Sequence, residues 1–118
     1  MIRIVFAASF LATALSLAAA PALAQPDGKQ LFDLQCRFCH DDDTMGPGLT
    51  GVHERKIAAG GFEYSDSLKA KKEEAWTDAS LDAFLKSPNE FAPGTKMQMA
   101  VPDDANRAAI IAYLKTLK

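Results

Sequence analysis

Apolar side chains recur at helical spacing in the second half of the chain. Leu81, Phe84 and Leu85 stand at i, i+3 and i+4, which puts them on one face of a helix. Thr77 is a favoured N-cap residue, and Pro88 disfavours helical backbone in the residue before it. The pattern therefore predicts one amphipathic helix that begins after Thr77 and ends before Pro88.

Three further helices and several long loops complete the pattern. A short helix is predicted from Asp27 to about Cys36, where apolar residues lie among polar ones, and a polar one over 65–72. An acidic start, an alanine-rich body and apolar residues at i, i+4 and i+7 predict a helix over 103–117. Gly46-Pro47-Gly48 and Pro93-Gly94 are turn or loop signals. Because no stretch alternates as a strand does, we expect one all-α domain.

The first 24 residues have the pattern of a secretory signal peptide. Arg3 supplies a positive end, residues 4–20 are almost all apolar or small, and Ala22-Leu23-Ala24 is a small-x-small cleavage site. We expect cleavage after Ala24, which leaves residues 25–118 as the exported domain. The apolar run approaches the roughly 17 residues that span a bilayer, so an uncleaved anchor is the alternative. The cleavage triplet and the lack of a stop-transfer flank favour removal.

Charge and size restrict the classes of function. The 118 residues include 15 acidic residues and 13 lysines and arginines, a formal net charge of −2. This mildly acidic balance disfavours a general nucleic-acid binder, whose phosphate contacts need a basic face. A domain this small buries a modest share of its surface, and long loops are uncommon unless they wrap something. A flat apolar cofactor would supply both the missing core and a reason for the loops.

The segment Cys36-Arg37-Phe38-Cys39-His40 has the spacing of a c-type haem attachment site. Two cysteines in an exported chain ordinarily suggest a disulfide. At i and i+3 of a helical turn, however, they are about 5–6 Å apart, so both sulfurs can bond the two vinyl groups along one porphyrin edge. His40 would then present its imidazole to the iron. We expect one covalently bound haem c.

Two other interpretations of these residues stay open. A thioredoxin-like redox pair has the same Cys-x-x-Cys spacing but needs a βαβ pattern, which the sequence lacks. A zinc site would find four ligands in Cys36, Cys39, His40 and His53. Adjacent residues chelate one small ion poorly, and the export signal together with the small helical chain favours haem.

An electron carrier also needs a ligand on the opposite face of the haem. The candidates are Met45, Met97, Met99 and His53. Met97 follows the Pro93-Gly94 turn in a loop, and a thioether favours ferrous iron and raises the reduction potential. Met99 would point away from the haem if the loop is extended, and Met45 is only five residues from His40. We therefore expect the iron to lie between His40 and Met97.

Several separated motifs make the chain similar to a known family. They are Gly28 and Phe32, the Cys-x-x-Cys-His segment, residues 46–51, Arg55-Lys56, Tyr64, Trp76, residues 93–97 and residues 111–115. In this order they resemble the class I cytochromes c, nearest the cytochrome c2 and mitochondrial-type branch. The resemblance implies a small all-α fold, with about four short helices and loops wrapped around one covalent haem. It also implies that Gly28 and Phe32 lie where the first helix crosses the last.

The resemblance assigns roles around the haem. The carbonyl of Pro47 would accept a hydrogen bond from His40 Nδ1–H, which fixes the tautomer and makes the ligand more basic. The residues that would hydrogen-bond or pair with the haem propionates are Arg55, Tyr64, Trp76 and Thr95, the last either there or beside the methionine. Charge-assisted bonds of this kind offset the cost of placing anions beside an apolar core.

The chain departs from the family near the methionine and at the surface. Phe84 stands where the family usually has a tyrosine hydroxyl near the methionine sulfur. Positions around the exposed haem edge where lysines are frequent hold Gln35, Asn89 and Glu90. The lysines that remain there are Lys29, Lys86 and Lys96. Docking by charge steering should therefore be weaker, or directed at a different partner.

Together these features predict an exported mono-haem c-type cytochrome, not an enzyme, that carries single electrons between redox proteins. The expected partners are a membrane oxidase or cytochrome complex and exported dehydrogenases, with no nucleic acid and at most peripheral membrane contact. We expect a periplasmic monomer. The alternatives are a peroxidase or gas-binding protein with an open sixth iron position, and a subunit of a larger complex tethered by an uncleaved leader.

Overall fold

The computed structural model describes residues 16–20 and 24–118. Within these ranges the helices are α1 Gly28–Gln35, α2 Arg37–His40, α3 Asp66–Lys69, α4 Asp78–Lys86, α5 Pro88–Phe91 and α6 Asp104–Leu114. The only extended pairing in this part of the chain is one isolated bridge between Lys56 and Ala75. The all-α prediction is confirmed.

Most of the predicted leader, namely residues 1–15 and 21–23, lies outside the described residues. The signal peptide over 1–24, the cleavage after Ala24 and the domain boundary at residue 25 therefore stay predictions. In the described ranges, none of the helices combines the length and hydropathy needed to cross a bilayer.

Side-chain caps begin the four helices that the sequence predicted. The capping residues are Asp27 for α1, Ser65 for α3, Thr77 for α4 and Asp103 for α6. Each accepts a hydrogen bond from a backbone N–H of the first turn, where the helix itself offers no acceptor. The third helix is shorter than predicted, because only Asp66–Lys69 is helical and the chain continues in turns.

Two four-residue helices lie outside the four predicted ones, although the sequence analysis had assumed a helical turn at Cys36 and Cys39. The α2 helix begins directly after Cys36, at the end of α1, and α5 begins at Pro88. Pro88 ends α4 as expected, because Ser87 before it is extended with φ −151° and ψ 90°. It then begins α5, since the first position of a helix needs no backbone N–H.

The first and last helices cross at Gly28. A Cβ atom on Gly28 would overlap the carbonyl group of Ala109 and lie 3.2 Å from Tyr113 Cβ. One turn further along α1, the rings of Phe32 and Tyr113 pack with centroids 5.1 Å apart. The crossing implied by the family resemblance is therefore present, and it requires the absence of a side chain at residue 28.

The loop between residues 49 and 61 is held against the chain segment that precedes α4. The N–H of Glu54 donates to the carbonyl of Trp76 at 2.7 Å, and the N–H of Trp76 donates to the carbonyl of Arg55 at 2.9 Å. The N–H of Gly51 donates to the carbonyl of Leu117 at 2.6 Å, close behind α6. These bonds place Arg55 and Trp76 side by side.

A surface ion network adds to this attachment. His53 Nε2 lies 2.7 Å from Asp78 Oδ1, and Lys115 Nζ lies 2.6 Å from Asp78 Oδ2. The hydrogen bond from Lys115, and after it the one from His53, lowers the pKa of the Asp78 carboxyl below its usual value. The ionised Asp78 carboxylate therefore stabilises the fold fully when the pH is above the ordinary pKa of an aspartate. This stabilisation is lost as the pH falls through the lowered pKa of Asp78 in the folded protein.

Replacing Gly28 with alanine should weaken the fold by forcing α1 away from α6. We expect Gly28→Ala to lower the free energy of unfolding by about 1–3 kcal/mol, the usual cost of inserting atoms into a packed contact. Denaturant unfolding of the purified protein measures the change. Gln30→Ala, at an exposed position of the same helix, is the control and should be nearly neutral. Equal midpoints for the two variants would contradict the close crossing.

Candidate cofactor site

An apolar cavity of about 330 Å³ lies between the α1–α2 junction and the loop that carries Met97. The predicted site residues along its wall are Cys36, Cys39, His40, Pro47, Arg55, Tyr64, Trp76, Thr95 and Met97. Phe84 also lines it. The volume falls in the range of small-molecule and cofactor sites. Residues as far apart in sequence as Cys36 and Met97 thus meet around one space.

The short α2 turn brings the two cysteines and the histidine to the cavity wall. The N–H groups of Cys39 and His40 both lie 3.2 Å from the carbonyl oxygen of Cys36. The cysteines are free rather than joined in a disulfide. Burial, and to a lesser degree the neighbouring Cys39, raises the pKa of Cys36 to about 11. A redox dithiol depends on a lowered thiol pKa, which Cys36 does not have, and a thioredoxin-like centre also needs a βαβ unit, whereas the elements of the described residues are all helices.

His40 is oriented by the backbone of Pro47. Its Nδ1 lies 2.7 Å from the Pro47 carbonyl oxygen, which can only accept, so Nδ1 carries the proton and donates. The other ring nitrogen, Nε2, is left with a lone pair for a metal ion. This is the tautomer that a haem ligand needs.

Gly46 provides the space for the His40 ring, a role that the sequence analysis did not assign. A Cβ atom on Gly46 would lie 2.8 Å from both Cε1 and Nδ1 of His40. In the sequence, Gly46 is part of a turn signal and of the motif over residues 46–51, and neither indicates a contact with His40. The turn therefore does more than reverse the chain, because its first glycine admits the imidazole and its proline carbonyl orients it.

The hydrogen-bond partners of Arg55 indicate whether the cavity suits a haem. Its Nη2 donates to the carbonyl of Gly48 at 2.9 Å and its Nη1 to that of Thr50 at 3.3 Å. Its Nε is buried and has no hydrogen-bond partner among the described residues. An unpartnered N–H of a guanidinium in a cavity wall is costly and calls for an acceptor, best an anionic one. A haem, which is apolar over its faces and carries carboxylates at one edge, fits both the lining and this donor.

The other three residues expected at the propionates also line the cavity, but they differ in their burial and hydrogen bonding. Trp76 is buried, with its ring centroid 5.1 Å from that of Phe84, and Thr95 is buried as well. The hydroxyl of Tyr64 donates to the carbonyl of Ala59 at 2.8 Å. Burial raises the pKa of Tyr64, so it keeps its proton at neutral pH. The Tyr64 hydroxyl thus has a backbone acceptor in this structure, and its role at the propionates stays a prediction.

The loop that carries Met97 begins with the predicted turn. Gly94 has φ +81°, which glycine adopts freely, and its N–H donates to Asn89 Oδ1 at 3.0 Å. The methionine itself is half-buried and packs against the hydrophobic core.

Met45 and Met99 also reach the cavity wall, but they are 53% and 47% exposed. The expectation that Met99 points away was wrong in this respect. It assumed the alternation of a regular strand, whereas residues 97–103 have no regular secondary structure. Both side chains belong to the rim of the cavity.

The alternative zinc site is not formed. His53 bonds Asp78 on the surface and does not line the cavity that holds Cys36, Cys39 and His40. Across residues 16–20 and 24–118, no three histidine, cysteine or acidic side chains come together as a metal site. The fourth ligand that zinc needs is therefore missing.

Replacing Gly46 with alanine should displace the His40 ring and disturb its bond to Pro47. We expect Gly46→Ala to lose about 1–3 kcal/mol of stability by overpacking and to shift or abolish the NMR signal of the His40 Nδ1 proton. Gly61→Ala is the matched control, because nothing lies within 4 Å of its added Cβ. If the two variants unfold at the same denaturant concentration and keep the same ring-proton signal, Gly46 is not needed for the ring.

Comparison with known proteins extends the resemblance to nearly the whole described domain. The family model described as Cytochrome c matches residues 26–118. The chain is 43% identical over 94 residues to cytochrome c of Tetrahymena pyriformis, covering 76% of this chain and 85% of that protein. It is 40% identical over 98 residues to cytochrome c2 of Rhodopila globiformis, covering 78% and 92% respectively.

Solved structures of cytochromes superpose on the same part of the chain. Cytochrome cH from Methylobacterium extorquens superposes with a TM-score of 0.69 at 36% identity, covering 76% of this chain and 95% of that one. Ferricytochrome c2 from Rhodopseudomonas palustris superposes with a TM-score of 0.70 at 31% identity, covering 78% and 96%. By its family match, its relatives and its fold, the chain belongs to the cytochrome c family, in the c2 and mitochondrial-type branch, whose members bind one covalent haem c and carry electrons rather than act as enzymes.

Proposed function

We propose that the chain is an exported carrier of single electrons whose haem iron is held by His40 and Met97. The observation that carries this proposal is the hydrogen bond between His40 Nδ1 and Pro47, which leaves Nε2 available at the wall of an apolar cavity. Met97 reaches the wall of the same cavity from a separate loop. An imidazole and a thioether are the ligand pair of electron-carrying c-type cytochromes.

Different residues of the cavity would bind different parts of the cofactor. When bound, the haem supplies an iron that changes between the ferrous and ferric states. Cys36 and Cys39 would attach it through thioether bonds, and His40 would bind the metal in the tautomer that Pro47 imposes. Arg55 would donate its free Nε–H to a propionate. The apolar wall excludes water from the metal and so limits rearrangement when the charge changes.

The contacts of the three methionines favour Met97 as the second ligand. Met97 packs against the core, whereas Met45 and Met99 are about half exposed. The chain is also held on both sides of Met97, because Thr95 N–H donates to the Ala92 carbonyl at 2.9 Å and Val101 N–H donates to the Leu85 carbonyl at 2.8 Å. A thioether fixed between two anchored points loses little freedom on binding a metal.

Substitution of the two neighbouring methionines separates the ligand from the rim residue. We expect Met97→Ala to abolish the long-wavelength absorption band that methionine gives to ferric haem, while the haem stays covalently attached. We expect Met99→Ala to keep both the band and the attachment. Visible spectra and denaturing gels stained for haem measure these two properties.

The opposite result would assign the ligand to Met99. Absence of the band from the unaltered protein would contradict ligation by either methionine. It would instead favour an open sixth position, as in a peroxidase or gas-binding protein.

The rim of the cavity suggests the character of the partner surface. Polar and apolar side chains mix there, and the lining residues that are exposed or partly exposed include Gln35, Met45, Lys96, Gln98 and Met99. We propose that docking to redox proteins, such as a membrane oxidase or cytochrome complex and exported dehydrogenases, relies on apolar contact more than on charge steering.

Export should remove the leader and leave a soluble periplasmic protein. In a bacterial host with a periplasm, we expect mass spectrometry to find residues 25–118 with one haem in the soluble fraction. A double variant with leucine at Ala22 and Ala24 lacks the small residues that a signal peptidase requires and should stay in the membrane. Unaltered protein that keeps its leader and fractionates with membranes would support a tethered subunit instead.

A further inference from the structure

Arg107, in the first turn of α6, is buried although it carries a charge. Its side chain is 3% exposed, and it does not line the cofactor cavity. A buried guanidinium is costly unless its N–H groups are satisfied. The partners that satisfy it therefore indicate what the residue holds together.

The partners of Arg107 belong to three different parts of the chain. Its Nε donates to Asp82 Oδ1 on α4 at 2.8 Å, and its Nη2 donates to the carboxylate of Asp104. Its Nη1 donates to the carbonyl oxygens of Val101 and Pro102 at 3.0 and 2.9 Å. Those two carbonyls lie where the loop that carries Met97 ends.

The stretch between Thr95 and Val101 has few backbone hydrogen bonds of its own. Thr95 is fixed by its bond to Ala92 and Val101 by its bond to Leu85. In the part of the chain that the structure describes, residues 96–100 make no backbone-to-backbone hydrogen bonds outside regular elements. Side chains also hold the stretch, because Lys96 Nζ donates to the Glu63 carbonyl, Gln98 Nε2 donates to the Thr95 carbonyl, and Met97 packs against the core. The backbone path of the stretch is fixed at its two ends, and Arg107 holds the second end.

We propose that Arg107 is a positioning residue for Met97, acting through the carbonyl groups of Val101 and Pro102. The inference rests on the proposed ligation by Met97. A guanidinium presents five N–H groups in a rigid plane, which suits two carbonyls and two carboxylates in fixed directions. A lysine has the charge but not this fork, so it cannot hold the loop end, α4 and α6 at once.

A purely structural role would have a different consequence. If Arg107 only stabilised the packing of α4 on α6, its loss would weaken the whole fold without favouring release of Met97. If it fixes the loop end, its loss would open the loop while the rest of the domain stays folded. Opening of the loop and global unfolding must therefore be measured separately.

The test uses ferric holoprotein and imidazole, which binds iron only when the methionine has left. We expect Arg107→Lys to raise the apparent imidazole affinity by about tenfold, because affinity scales with the open fraction and hydrogen bonds to charged groups are among the strong ones. Gly28→Ala weakens the fold at the α1–α6 crossing, beside Ala109 on the same helix as Arg107, and serves as the control for disturbed packing of α6. Denaturant unfolding of both variants measures the global loss, and the control should change imidazole affinity by about twofold or less.

The positioning role would be overturned if imidazole affinity rose equally in Arg107→Lys and Gly28→Ala for the same loss in free energy of unfolding. An unchanged imidazole affinity in Arg107→Lys would also overturn it. If Arg107→Lys does not fold, Asp82→Asn is the second variant, because it removes the negative charge that accepts the hydrogen bond from Arg107 Nε. We expect Asp82→Asn to raise the imidazole affinity by a smaller factor. An unchanged affinity in this variant would also overturn the proposal. Amide hydrogen exchange at Val101 should accelerate in parallel.

Failure of the ligation proposal has a separate signature. In that case the unaltered protein lacks the methionine–iron band before any imidazole is added, or Met97→Ala retains it. Positioning of Met97 on the iron is then overturned as well, whatever the exchange rate at Val101. If the band is present and depends on Met97, the imidazole comparison decides the role of Arg107 alone.

Discussion

The contact between the His40 imidazole and the Pro47 carbonyl is the constraint around which the cofactor site is built. It closes the loop that follows the Cys-x-x-Cys-His segment and leaves one ring nitrogen free to bind a metal. The contact is possible only because Gly46 has no side chain. The same loop then continues to Gly48, whose carbonyl accepts from Arg55, so one short stretch of chain orients both the metal ligand and the cationic donor.

The distribution of polarity in the cavity agrees with the shape of a haem. The wall is largely apolar, and the unsatisfied Nε–H of Arg55 is a strong donor within it. A small domain buries a limited amount of surface by itself, so a large apolar cofactor becomes part of its core. The packed rings of Trp76, Phe84 and Phe91 form one side of that core. The stability of the fold and the binding of the cofactor therefore depend on each other.

The two proposed axial ligands are supported in different ways. His40 belongs to a helical turn and is locked by a neighbouring carbonyl, so its placement is local. Met97 lies on a stretch without regular structure and depends on distant anchors, among which Arg107 connects the end of that stretch to two helices. This difference explains why the Cys-x-x-Cys-His segment identifies the histidine directly, whereas Met97 had to be chosen among several candidate residues.

Local chemistry made several elements predictable. Side-chain caps and helical spacing gave the four main helices, and Pro93-Gly94 indicated a turn that needs φ > 0 at the glycine. The helical turn assumed for Cys36 and Cys39 is present as the short helix α2, whereas α5 was missed because Pro88 was interpreted only as a helix end. The bond from Tyr64 to the Ala59 carbonyl was not foreseen, since that acceptor is a backbone group with no sequence signature.

By itself, the sequence determined the helical class, the motif that attaches the cofactor and the family to which the chain belongs, because each depends on residue types at fixed short spacings. Only the tertiary structure decided which side chains share the cavity, why Gly46 must lack a side chain, that Met99 reaches the rim, and that Arg107 holds the end of the methionine loop. The physical reason is that these contacts join residues far apart in the chain or involve backbone carbonyls. Backbone carbonyls are alike in every residue, and their partners depend on how the whole chain packs.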